Sequence, residues 1–243
     1  MKFLCFSQNF EVLAIKSQDS EIEHFSSLSE HWWDVNGPLR TLHAINPVRL
    51  NFLRSCIGVD GLSILDVGCG GGIFSEELAK IGGNITAIDL SDELIQVALS
   101  HSALNDLKIN YQVKELKHFD NSTQFDVICC MEMIEHVDNP NELLSDIATR
   151  LKPGGILIGS TLTRTPVSFA LAIVAAEHLL GIIPKGTHSY EKFLLPSEIN
   201  TKLQNHGLSL FKTNGINYNP LTGRASLSKT ITSNYIFAAK KND

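Results

Sequence analysis

One stretch constrains this chain more than any other: Asp66-Val67-Gly68-Cys69-Gly70-Gly71-Gly72, preceded by Ile64-Leu65 and followed by a helical pattern from Ile73 to Ile81. An apolar run that stops at glycines and restarts as a helix makes a strand-loop-helix turn. Without Cβ atoms, the loop backbone can approach a ligand closely. Such a loop is a weak signal alone, so its surroundings must decide its use.

The surroundings alternate. Gly82-Gly83 closes the first helix, and Ile85 to Asp89 reads as a second strand. Ser91 is an N-cap with Asp92 and Glu93 in the first turn, where the helix dipole favours negative charge, and this helix runs to about Ala103. Strands follow at Ile109 to Val113, Phe125 to Cys130 and Ile156 to Thr161, with a helix opened by Asn139-Pro140 before the last of them. Strands joined by single helices imply right-handed crossovers and a mostly parallel sheet, with ligands beyond the carboxyl ends of its strands. Leu208 to Phe211 and Tyr235 to Ala239 supply two more strands, an antiparallel hairpin at the sheet edge. The expected fold is a seven-stranded, Rossmann-like α/β domain over 21–243. Residues 21–60 form an N-terminal helical cap, broken at Gly37-Pro38 and Asn46-Pro47, and an apolar insert spans 164–195. Residues 1–20 are weakly patterned, and disorder or a mis-chosen start is expected there.

The loop does not suit a nicotinamide dinucleotide. That fingerprint needs glycines at 68, 70 and 73, and position 73 is Ile. Asp66 at the strand end suits the ammonium of a methionine moiety better than a pyrophosphate. Asp89, ending the second strand, is placed to accept both hydroxyls of a ribose. The bland alternative is a structural turn with a solvated Asp89. The expected ligand is S-adenosyl-L-methionine, and the expected fold that of class I methyltransferases that use it.

Met131-Glu132-Met133-Ile134-Glu135-His136-Val137 follows the fourth strand and so lies beside the transferable methyl group. Met131 suits the adenine side as a polarizable side chain, with ordinary core as the alternative. Methyl transfer from a sulfonium is an in-line displacement, and an oxygen acceptor must lose its proton. A phenol starts near pKa ~10, so a base or a cation is required at neutral pH. His136, with Glu135 beside it, is the candidate base; a structural histidine bonded to a carbonyl is the alternative. Glu132, Glu135 and His136, at i, i+3 and i+4, also form a candidate site for Mg²⁺, or equally a solvated acidic loop.

Composition narrows the partners. The 243 residues carry a net charge of -6, which gives no basic face for nucleic acid. Cys5, Cys56, Cys69, Cys129 and Cys130 show no C-x-x-C spacing, so neither a disulfide framework nor a zinc site is expected. The short apolar start, Met1 to Phe6, and the absence of Arg before Arg40 argue against a secretory or transit peptide. A cytoplasmic location is expected.

From about Phe25 onward the chain resembles the ubiquinone biosynthesis O-methyltransferases. The resemblance rests on Trp32-Trp33-Asp34, Leu42 to Leu50 with Asn46-Pro47-Val48-Arg49, the glycine loop, Cys130 to Val137, Ser160 to Arg164 and Pro184-Lys185-Gly186-Thr187-His188. It implies that Arg49, Gly68, Asp89 and Met131 bind S-adenosylmethionine, Arg49 through the methionine carboxylate. Asp66 and Gly70 join them from the loop itself. It also implies methylation of both a 2-polyprenyl-6-hydroxyphenol and 3-demethylubiquinol, a divalent ion at Glu132, Glu135 and His136 in some members, and a place in a quinone-biosynthesis complex.

Pro166 to Lys185 is the most apolar stretch, and Glu177-His178 inside it argues against a membrane span. It reads as a substrate lid touching the inner membrane through 166–183, or as core. Two rivals remain: a C-methyltransferase of the same pathway, and a non-catalytic quinone or lipid carrier.

Overall fold

The computed structural model describes residues 22–120, 122–168 and 192–242. The expected strands form as β1 (Ser63–Val67), β2 (Asn84–Asp89), β3 (Asn110–Val113), β4 (Phe125–Met131) and β5 (Leu151–Leu162). They pair in parallel in the order β3-β2-β1-β4-β5. Helices Ile73–Lys80, Asp92–Leu104 and Pro140–Arg150 connect them. The capping residues act as their chemistry dictates: Ser91 Oγ accepts from Leu94 N at 3.1 Å, and Asn139 Oδ1 accepts from Asn141 N and Glu142 N.

The C-terminal half of the sheet is antiparallel, with one strand more than expected. β8 (Asn234–Lys241) lies between β5 and β6 (Leu208–Asn219), and β7 (Arg224–Ser228) forms the outer edge as a hairpin with β6. β7 hides in the sequence because an edge strand needs few apolar residues, and Arg-Ala-Ser-Leu-Ser is largely exposed. β8 is the opposite case. Tyr235 to Ala239 is fully buried on both faces, so the run is continuously apolar. A helix over Pro196–Asn205, opened by proline and by Glu198 accepting from Leu195 N at 2.8 Å, is a further element beyond those expected.

The sheet separates two cores. Along β4, Val127 and Cys129 face Phe52, Leu53, Phe74 and Leu78, while Ile128 and Cys130 face Leu144, Ile147, Ile199 and Leu203. Near the N-terminus, residues 22–27 are helical, and Trp32 and Leu39 pack with Ile73 and Leu94 beside the glycine loop.

The expected break at Asn46-Pro47 does not occur. Helix Arg40–Arg54 runs through Pro47, burying Ile45, Val48, Phe52 and Leu53 on one face. That burial outweighs the missing proline N–H. Of the apolar insert, Pro166–Ser168 forms a helical turn, and 169–191 lie outside the described residues, as does the Lys185 to His188 stretch. Residues 1–21 do too. No helix among the described residues is long and apolar enough to cross a membrane.

Gly159 on β5 faces Phe237 on β8, and a Cβ at position 159 would sit 2.4 Å from the buried ring. Gly159→Ala should therefore cost about 1–3 kcal/mol by overpacking. Urea denaturation measures it, and an unchanged midpoint would show that the ring can yield.

Candidate active site

β1 ends at Val67, and the chain turns by way of three left-handed glycines, Gly68 (φ 71), Gly70 (φ 52) and Gly72 (φ 89). Gly68 N and Cys69 N both donate to Ile88 O, tying the loop to β2. Asp89 continues the tie: Oδ2 accepts from Gly70 N at 2.8 Å and Oδ1 from Ser91 N at 3.0 Å. Burial pushes the Asp89 carboxyl up, while these backbone donors pull it down.

Above the loop opens a cavity of about 850 Å³, a size typical of ligand sites. Arg49, Asp66, Gly68, Gly70, Asp89, Met131, Glu132, Glu135 and His136, all named from sequence, line it. The structure thus brings together residues from the Arg40–Arg54 helix, β1, β2 and the loop after β4. Asp66 is buried at 2% exposure and accepts from Ser75 Oγ at 2.6 Å. Burial raises its carboxyl to about 6, against the opposing pull of Ser75 and Arg49.

The loop after β4 is arranged differently from the cation site expected of it. Glu132 Oε1 forms an ion pair with Arg49 Nη2 at 2.8 Å and accepts from Asn234 Nδ2 at 2.8 Å. Burial raises the Glu132 carboxyl, but Arg49 and Asn234 more than reverse this and leave it below its usual range. Glu132 itself is left-handed (φ 53), and its N–H bonds Ser160 O at 2.9 Å. Glu135, 3% exposed, takes a 2.6 Å bond from Thr161 Oγ1, and burial raises its carboxyl. His136 is half-buried, edge-on to Phe25. Among the described residues, no three His, Cys, Asp or Glu side chains are placed to hold a metal ion. In this arrangement the three expected ligands do not converge on one point: Glu132 Oε1 is turned to Arg49 and Asn234, and Glu135 Oε2 to Thr161.

Sequence reasoning missed several lining residues: Phe25, Met133, Tyr218 and Asn234. Asn234 opens β8, far along the chain from β4, and nothing local marks it. Met133 leaves a trace in the glycines, since a Cβ at Gly68 would meet its sulfur at 2.9 Å.

Known proteins share this construction. A family profile described as "Methyltransferase domain" matches residues 41–213. The "Ubiquinone biosynthesis O-methyltransferase" of Xanthomonas euvesicatoria pv. vesicatoria (strain 85-10) is 44% identical over 224 residues, 91% of this chain and 94% of that protein. Its namesake in Xanthomonas axonopodis pv. citri (strain 306) matches to the same extent. The chain belongs to the ubiquinone biosynthesis O-methyltransferase family. Among solved structures, magnesium protoporphyrin IX methyltransferase from Synechocystis PCC 6803 with bound SAH superimposes with a TM-score of 0.66 at 18% identity, covering 93% of this chain and 99% of that one. A S-adenosylmethionine-dependent methyltransferase from Clostridium acetobutylicum ATCC 824 gives 0.64 at 14% identity, covering 88% and 98%. The fold is that of class I methyltransferases, as the alternation of strands and helices predicts.

For this O-methyltransferase the raised Asp66 carboxyl has a stability consequence. The folded state holds the proton more tightly than the unfolded chain, whose value is 3.8, so the favourable contribution is complete below pH 3.8. It is lost as pH rises through about 6. The loss is on the order of 3 kcal/mol, at about 1.4 kcal/mol per unit. Asp66→Asn should flatten this part of the slope between pH 4.5 and 6.5 in urea titrations. A variant with the wild-type slope would place the burial cost elsewhere.

Proposed function

We propose that the chain transfers the methyl group of S-adenosylmethionine to a phenolic oxygen of polyprenylated intermediates in ubiquinone biosynthesis. The acceptors are 2-polyprenyl-6-hydroxyphenol and 3-demethylubiquinol. The observation that carries this reading is the meeting of the glycine loop with Asp89, Asp66, Arg49 and His136 around one cavity, in a chain whose relatives bear that name.

The residues fit the donor. Asp89, already fixed by Gly70 N, presents a carboxylate where a ribose would lie, and the left-handed glycines let the loop make the tight turn that borders the cavity. Asp66 serves the ammonium and Arg49 the carboxylate of the methionine part, with Met131 beside the base. When bound, S-adenosylmethionine supplies an electrophilic methyl group on sulfur. His136 takes the phenol proton onto its imidazole as the oxygen forms its bond to that methyl, and Glu135 lies beside it in the cavity wall. The carbon–sulfur electron pair stays with sulfur, so S-adenosylhomocysteine leaves. The proton passes from His136 to water.

The apolar stretch 166–183 is read as a peripheral contact with the inner membrane, giving a polyprenyl tail its route to the cavity. Its composition supports this, and Val167, at its start, is 48% exposed. Membership of a quinone-biosynthesis complex and a cytoplasmic location otherwise belong to the same reading.

Tritiated methyl transfer to a short-chain demethylubiquinol analogue tests the proposal. Label in the product is expected, and none from folded protein would refute the enzyme reading. His136→Gln should lower kcat by roughly 10²–10⁴ while the KM for S-adenosylmethionine stays near wild type. A kcat within twofold of wild type would remove His136 from its role.

A further inference from the structure

The chain's two tryptophans stand side by side on the glycine loop. Trp32 lies across Gly70 and Gly71: a Cβ built at either position would be 2.3 Å from its indole ring. Trp32 is 5% exposed and forms part of the cavity wall. Yet its indole N–H is buried with no hydrogen-bond partner among the described residues. A buried donor without an acceptor is costly, so the polar group of Trp32 does not hold it there.

Trp33 does the holding. Its indole N–H donates to Gly71 O at 3.0 Å, and its ring stacks on His101 with centroids 3.4 Å apart and planes within 7°. His101 Nδ1 in turn lies 2.7 Å from Glu76 Oε1, a fully buried carboxylate that Asn105 Nδ2 also approaches at 3.4 Å. Neither His101 nor Glu76 lines the cavity. On the other side, His43 Nε2 is 2.9 Å from Trp32 O, which fixes the backbone between the two rings.

We propose that Trp32 and Trp33 form a clasp over the glycine loop that governs exchange of the methyl donor and its product. Trp33 is the latch, His101 and Glu76 are its anchor, and Trp32 is the cover. Because the two residues adjoin, releasing Trp33 from Gly71 and His101 frees Trp32 to leave Gly70 and Gly71. Its N–H then regains water, which lowers the cost of opening. Closed, Trp32 keeps water from the loop whose backbone the donor must approach. The identity of the exchanging ligand rests on the function proposed above; the clasp itself rests on these contacts. All four are positioning residues, acting through the conformation of the loop.

With no other tryptophan in the chain, intrinsic fluorescence reports the clasp directly. S-adenosylhomocysteine added to the full chain should give a saturable change in emission. In stopped-flow displacement, His101→Ala, which removes the stack, and Trp33→Phe, which keeps a ring but drops the bond to Gly71, should each release it roughly tenfold faster, the effect of one net hydrogen bond or stack. The KM for S-adenosylmethionine should rise by a similar factor without a fall in kcat. Wild-type release rates in variants of unchanged circular dichroism would overturn the clasp. Should Trp33→Phe fail to fold, the half-buried His101 decides alone through His101→Ala and the milder His101→Asn. If the wild type itself fails to bind S-adenosylhomocysteine, the cofactor reading falls and the clasp's role falls with it. Binding with unchanged release in the variants sinks only the clasp.

Discussion

The ion pair between Arg49 and Glu132 fastens, at the cavity wall, three parts of the molecule that are distant in sequence. Arg49 belongs to the Arg40–Arg54 helix, Glu132 to the loop beyond β4, and Asn234, bonded to the same carboxylate oxygen, to the start of β8. Removing one partner from a fully buried pair costs roughly 3–5 kcal/mol, because the other charge is stranded. The Glu132 side chain keeps 22% exposure, which lowers that figure, but Arg49 at 6% has little water to fall back on. The pair therefore sets the position of the wall on which His136 stands. It also gives Arg49 two carboxylates to serve: that of Glu132, and on the proposed reading that of the methyl donor. Its Nε–H has no partner among the described residues, so the guanidinium retains a donor to offer.

The sheet makes this meeting useful. Crossovers from β1 to β2 and from β4 to β5 bring the carboxyl ends of the central strands to one edge, and each ends in a residue of the site: Asp66 one before the end of β1, Asp89 at the end of β2, Met131 at the end of β4. The left-handed glycines then carry the chain from a buried strand into a helix, and the space of their missing Cβ atoms is taken by Met133, Trp32 and Tyr111. Asp89 is less free than a ribose ligand drawn from sequence would suggest, since both of its oxygens already hold the loop's backbone. That makes it an organiser of the loop as well as a contact for the ligand, because a carboxylate has lone pairs enough for both.

The parallel half of the fold was legible because buried strands and amphipathic helices impose distinct periods, and because Ser91 and Asn139 cap their helices by local chemistry. The edge strand β7 and the helix from Pro196 were not, since exposure erases the apolar pattern. The path of the Arg40–Arg54 helix through Pro47 departs from the expected break because tertiary burial overrides a local rule. In the site, glycines and acidic strand ends announce themselves. The pairing of Glu132 with Arg49 and Asn234 does not, being a contact between distant segments. A spacing of i, i+3, i+4 suggests three convergent metal ligands, whereas tertiary contacts turn Glu132 to Arg49 and Glu135 to Thr161.

This cavity serves the delivery of a methyl group to oxygen on a quinone precursor. The most direct test is mass fragmentation of the product formed from a demethylubiquinol analogue and a donor with a deuterated methyl group. Label lost with the methoxy group is expected. Label retained on the ring carbon would contradict it and make the chain a C-methyltransferase.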